Sequence, residues 1–91
     1  MAGESEVPAW DPDAPRIGYD YEAVADHIEA RIRAGQLKPN MPLPGERALS
    51  EEYGHALGTI RRATELLRER GLVRTLPGKG SFVVPQEPAN G

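Results

Sequence analysis

The chain has no cysteine, which removes both a disulfide framework and a thiolate metal site. Long apolar runs are missing too. The longest hold two or three residues, too few to span a membrane, and the opening MAGESEVPAW has no apolar centre of signal-peptide length. No nucleophile–base pair, metal-ligand cluster or phosphate loop can be found, so nothing points to an enzyme or a cofactor. Gly78-Lys79-Gly80 is too short for a phosphate loop and follows a strand instead of opening a helix. Asp26 and Glu29 stand three apart, as paired catalytic carboxylates could, but nothing near them suggests a pocket, and they read as a solvated helix face. Positive charge is also in deficit. The net charge of −3 by itself argues against a nucleic-acid partner.

The distribution of charge says more than its sum. Residues 1–44 carry eight acids against four bases, whereas 45–84 carry five acids against seven bases. A basic face on an acidic chain is compatible with DNA, with binding that falls steeply as salt rises. At 91 residues there is room for one domain with a small core and a stability on the order of a few kcal/mol.

The stretch from Glu46 to Gly71 organises the rest. It reads as two helices joined by a tight turn and closed by a glycine. The second of them bears Arg61, Arg62, Arg68 and Arg70 and turns Ile60, Ala63 and Leu67 the other way. That is a helix-turn-helix, a device that lays its second helix in the DNA major groove.

Around this pair the chain divides into three parts. Residues 1–15, with Pro8, Pro12, Pro15 and four acids, read as a disordered arm. Trp10 within it reads as a solvated or loosely packed indole, the alternative being an anchor onto the domain or a missing partner. Residues 16–84 form the folded domain. Tyr21 to Ala34 is its first helix, with Tyr21, Val24, Ala25, Ile28 and Ile32 on one face, Asp20 as N-cap and Gly35 as stop. His27 falls off that stripe and reads as a surface residue. Pro39, Pro42 and Pro44 forbid helix from Gln36 to Pro44, and Leu43 there should make a very short strand. Gly45 to Tyr53 is the second helix, burying Ala48, Leu49 and Tyr53 behind a Gly45 cap. Leu57 to Arg70 is the third. Leu72 to Leu76 and Ser81 to Val84 are strands joined by Pro77-Gly78-Lys79-Gly80, a hairpin with a glycine-rich tip. Residues 85–91 read as a tail or the start of a linker. The fold class is mainly α with a small β-hairpin: a three-helix winged helix-turn-helix.

Four pieces in this order resemble the DNA-binding domain of the GntR family of bacterial transcription regulators. They are Tyr21-x-x-Val24-Ala25; Leu43-Pro44-Gly45-Glu46-Arg47-Ala48-Leu49-Ser50; Tyr53-Gly54 with Thr59-Ile60-Arg61; and Arg70-Gly71-Leu72-Val73 leading into Gly78-Lys79-Gly80-Ser81-Phe82-Val83. The resemblance covers Tyr21 to Val84. It implies a cytoplasmic, sequence-specific DNA-binding domain, with the 57–70 helix in the major groove and the 72–84 wing at the minor groove. Arg47, Thr59 and Arg61 correspond to DNA-contacting positions and Gly78 to the wing tip, with Lys79 placed to meet a phosphate. Arg62 joins this set from the polar face of the third helix. Its alternative, shared with Arg61, is pairing with Glu65 and Glu69. Arg68 and Arg70, near the helix end, read as structural. The expected partner is double-stranded DNA, with two copies reading a palindrome as a homodimer. Family members dimerise through a C-terminal effector domain, so the chain is expected to be either the N-terminal domain of such a protein or a small stand-alone regulator.

The chain departs from the family across the turn, at His55-Ala56-Leu57-Gly58. Ala56 replaces a hydroxyl N-cap, which should cost about 0.5–2 kcal/mol. Leu57 replaces an arginine that can be bidentate to guanine, and it can offer only an apolar contact, for instance to a thymine methyl. Gly58 lets backbone approach DNA at about 1 kcal/mol of helix penalty. His55 reads as partly buried and hydrogen-bonded, with a phosphate contact as the alternative. Because of these departures and the negative net charge, a protein-interaction winged helix with little DNA affinity is the competing reading.

Overall fold

The computed structural model describes residues 7–86. Apolar residues at helical spacing produce the first element, α1 (Asp20–Arg33), which buries Val24, Ala25, Ile28 and Ile32. The expected cap is corrected here. Tyr19, extended at φ −93° and ψ 143°, is the N-cap, and no side chain caps the helix. Its carbonyl takes the Glu22 and Ala23 N–H groups at 3.1 and 3.2 Å. Asp20 is already helical, and its carboxylate meets Arg16 at 3.4 Å.

The next two helices are α2 (Glu46–Tyr53) and α3 (Leu57–Glu69). Gly45 caps α2 through its backbone alone. Leu49 and Tyr53, four residues apart, are the only residues of α2 that are buried. Ala48, expected in the core, is exposed, because an eight-residue helix held on one side buries only a narrow stripe. Gly54 ends α2 at φ 71°, the left-handed position that glycine takes without steric cost. Helix α3 buries Ile60, Ala63, Thr64 and Leu67. The Thr64 hydroxyl is satisfied by donating to the Ile60 carbonyl at 3.0 Å.

Strands β1 (Val73–Leu76) and β2 (Gly80–Val83) pair antiparallel, Val73 opposite Val83 and Leu76 opposite Gly80. With side chains alternating across the ribbon, Val73 and Val83 enter the core and Arg74 and Phe82 take the opposite face. The hairpin closes through the Lys79 N–H on the Leu76 carbonyl at 2.9 Å. The very short strand expected at Leu43 is present as a bridge between Pro42 and Phe82. The Leu43 N–H reaches the Ser81 carbonyl at 2.8 Å and the Val83 N–H reaches the Met41 carbonyl at 2.9 Å. One aliphatic core results, centred on Ile28, Leu49, Ile60, Leu67 and Leu72, with Tyr53 as its single fully buried aromatic.

The arm corrects a second expectation. Residues 1–6 lie outside the described residues, but Trp10 is half-buried and packs against the core. It is an anchor onto the domain. His27, expected at the surface, is also engaged: its ring nitrogens lie 2.8 Å from the Tyr53 hydroxyl and 2.6 Å from the Pro8 carbonyl oxygen. Among the described residues no helix is long and apolar enough to cross a membrane.

Candidate nucleic-acid interface

The elements converge on one open groove. Its walls are the Pro42–Gly45 entry, the first turn of α2, one face of α3 and the inner edge of the wing. Arg47 of α2, Leu57 and Arg61 of α3 and Lys79 of the wing all line it. Thr64 and Arg68 line it too. With Leu57 and Arg61 they recur at spacings of four, three and four along α3, one helical face on which Thr64 is also buried against the core. Arg68 is both structural and groove-facing. Its Nη1 donates to Thr75 Oγ1 at 3.0 Å, tying α3 to the wing.

The groove gathers four cations, Arg47, Arg61, Arg68 and Lys79, against one anion, Glu46. Glu46 takes the Arg61 Nε–H at 2.9 Å, and both side chains remain well exposed, Arg61 at 61% and Glu46 at 45%. In that setting the pair adds at most about 1 kcal/mol and can be exchanged for an outside anion. The alternative reading of Arg61, pairing along its own helix with Glu65 and Glu69, is not what the structure shows: its partner is Glu46 on α2. Arg47 and Lys79 make no side-chain hydrogen bond or ion pair among the described residues.

The other expected positions are placed differently. Gly58, Thr59 and Arg62 do not line the groove. Gly58 and Thr59 belong to the first turn of α3. Arg62 turns toward α1, its guanidinium 4.6 Å from the Tyr21 ring centroid, a cation–π distance. Gly78 sits at the wing tip at φ 78°. No side chain caps α3, whose N-cap is extended Ala56, and its first turn has no acid. Its leading N–H groups therefore point outward at the positive end of the helix dipole. A β-carbon added at Gly58 would meet nothing within 4 Å. No internal packing accounts for the glycine, although glycine costs about 1 kcal/mol within a helix.

His55 does not line the groove. It is partly buried, with Nδ1 3.9 Å from Asp20 Oδ2 and Nε2 enclosed without a partner. Behind the groove, cations are consumed internally. Arg70 holds Asp26 at 2.8 Å and Glu29 at 2.7 Å, which makes it structural as expected. Burial pushes the Glu29 carboxyl up, but Arg33 and Arg70 outweigh that and hold it below the usual 4.5. Burial raises the Tyr53 phenol against the opposing pull of Arg31.

Three helices, a paired entry strand and a closing hairpin define a winged helix-turn-helix. Residues 20–83 match the family described as bacterial regulatory proteins, gntR family, and the chain belongs to that family. It is 38% identical over 63 residues to the HTH-type transcriptional repressor NagR of Bacillus subtilis, an alignment covering 69% of this chain and 26% of NagR. Against the Glc operon transcriptional activator of Escherichia coli it is 42% identical over 62 residues, covering 68% and 24%. The chain thus spans about a quarter of the length of these relatives. In three dimensions it resembles the AraR DNA-binding domain solved in complex with operator ORX1, with a TM-score of 0.71, 30% identity, and coverage of 87% of this chain and 95% of that one.

Proposed function

We propose that the chain is a sequence-specific DNA-binding domain of a bacterial transcription regulator. Helix α3 enters the major groove and the wing lies at the adjacent minor groove. One observation carries this reading: cations from α2, α3 and the wing face a single open groove, two of them with no partner among the described residues. The operator-bound structure of the similar AraR domain supports it, as does the regulatory role of both relatives. A protein-interaction module would not need unpaired cations drawn together from three elements.

The roles follow from chemistry. Arg61 is the principal base reader, exchanging Glu46 for a guanine edge, a bidentate contact worth about 1–3 kcal/mol of discrimination. Leu57 offers an apolar contact beside it. Gly58 and Thr59 bring the uncapped N–H groups of α3 to a phosphate, the anion that a helix N-terminus favours. Arg47 and Lys79 meet phosphates from opposite sides of the groove, and Gly78 lets the wing backbone approach the minor groove. Arg62 contributes from its seat on Tyr21 at the flank. Two copies would bind half-sites about 34–36 Å apart, joined by a C-terminal effector domain beyond this chain. The domain acts in the cytoplasm without catalysing a reaction.

The test is a titration with duplex DNA enriched from a randomised pool, followed by amide chemical shifts at low salt. Shifts should concentrate at Arg47, Leu57–Arg61 and Gly78–Lys79. Arg61→Ala should weaken binding about tenfold or more. An Arg61→Ala chain that bound the enriched duplex as tightly as its parent would sink the reading.

A further inference from the structure

Residues 8–16 pass outside the turn between α2 and α3, and their contacts are specific. The Trp10 ring centroid lies 5.5 Å from that of His27 on α1, 5.3 Å from Tyr53 at the end of α2, and 5.6 Å from His55 in the turn. The Arg16 guanidinium covers the indole at 4.3 Å. It is held there by the Asp11 carbonyl at 2.8 Å and the Asp20 carboxylate at 3.4 Å. Pro12 Cγ stands 3.2 Å from where a β-carbon on residue 54 would be, so the strap also presses on the turn glycine.

Hydrogen-bond chemistry orders these contacts. The Pro8 carbonyl can only accept, so His27 Nε2 carries a proton toward it at 2.6 Å. In the neutral ring Nδ1 then accepts from the Tyr53 hydroxyl at 2.8 Å, which in turn accepts from Arg31 Nη1 at 3.1 Å. The chain of donors runs from Arg31 through Tyr53 and His27 to the strap. The indole N–H is enclosed without a partner, so packing and the guanidinium hold Trp10, not its nitrogen.

The family match begins at residue 20, and the strap lies before it. No strap residue lines the cationic groove. The residues it touches nevertheless set where α3 begins, and Arg61 lies one turn further on. We propose that residues 8–16 are a clamp on the helix-turn-helix turn, and that Trp10 and Arg16 position the recognition helix without touching DNA. The clamp rests on the DNA-binding reading for its consequence, though not for its geometry.

The test uses the full 91-residue chain with Trp10→Ala and Trp10→Phe, the enriched duplex, and a random-sequence duplex of equal length. Trp10→Ala should lose about tenfold of the enriched-over-random affinity ratio, while random-sequence binding, set by phosphate contacts, changes by less than about twofold. Trp10→Phe should restore most of the ratio, since the N–H is unused. In the free protein, amide exchange at Gly54, His55 and Ile60 should speed up about tenfold relative to Val24 and Leu67. An unchanged ratio would overturn the clamp. So would equal acceleration at all five amides, the mark of a strap that only stabilises. If Trp10→Ala does not fold, Arg16→Ala decides: about a threefold loss of ratio supports the proposal, and no loss overturns it. If the parent chain enriches no duplex, the DNA reading fails, and the exchange pattern alone judges the clamp.

Discussion

The two sides of the helix-turn-helix use polar side chains in opposite ways. Behind it, charged and hydrogen-bonding side chains pair internally, Arg70 with Asp26 and Glu29, Arg31 with Glu52 and Tyr53, and His27 with Tyr53 and Pro8, the enclosed Trp10 N–H and His55 Nε2 being exceptions. In front, Arg47 and Lys79 have none among the described residues, Arg61 has one exchangeable carboxylate, and the first turn of α3 is uncapped. A net charge of −3 is thus compatible with an anionic partner, because of the acids only Glu46 lines the groove, while Asp26, Glu29 and Glu52 pair with cations behind it. The rear is built for stability and the front is left unsatisfied for a ligand.

Substitutions can break or sharpen this contrast. The largest effect belongs to the rear. Tyr53→Ala empties a fully buried site and should cost about 3–5 kcal/mol in urea unfolding, enough to unfold much of so small a domain. On the front, Ala56→Ser supplies the missing cap and should raise stability by about 0.5–2 kcal/mol, seen as a higher urea midpoint with an unchanged slope. By occupying the N–H groups of α3, it should also weaken affinity for DNA. Lys79→Ala should leave the urea midpoint in place and lower the slope of log affinity against log salt by about 0.9, the share of one phosphate. The smallest effect is at Glu29. Its carboxyl is held below 4.5 in the folded chain, so its contribution is present above the unfolded value and fades as pH falls through the folded one. Glu29→Gln should therefore destabilise by at most about 1 kcal/mol at pH 7, and the difference between the two curves should close below pH 4.5.

The helices and the wing were legible because each is a local pattern. Val24, Ala25, Ile28 and Ile32 mark α1, and Gly54 and Gly71 stop α2 and α3 where the left-handed backbone is required. Leu43 could be foreseen as a strand because three prolines leave little else. The arm could not. Trp10 meets Tyr53 across 43 positions of sequence, and His27 meets Tyr53 across 26, so no periodicity encodes either contact. Ala48 and Asp20 were misplaced for local reasons of a different kind. A short helix buries fewer residues than its apolar pattern offers, and a backbone carbonyl can cap without a side chain. At the interface, the resemblance to the family pointed to Arg47, Arg61 and Lys79, and the fold brings these three to one groove. Arg62 diverged because Tyr21 offers its guanidinium a ring, a contact between helices that its own helix does not display.

The bridge at Pro42 and Phe82 has a mechanical consequence. Hydrogen bonds from Asn40, Leu43 and Val83 stitch the entry of α2 to the second wing strand, and Arg68 fastens α3 to the first. Arg47, Arg61 and the wing are therefore carried on one frame, like the jaws of a caliper locked at a single setting. Such a frame gauges the separation between neighbouring grooves as well as the bases within one. A duplex whose grooves are spaced differently must bend to fit, at an elastic cost that depends on its sequence. Base pairs that no side chain reaches would then still influence binding, through the stiffness of the DNA between the jaws.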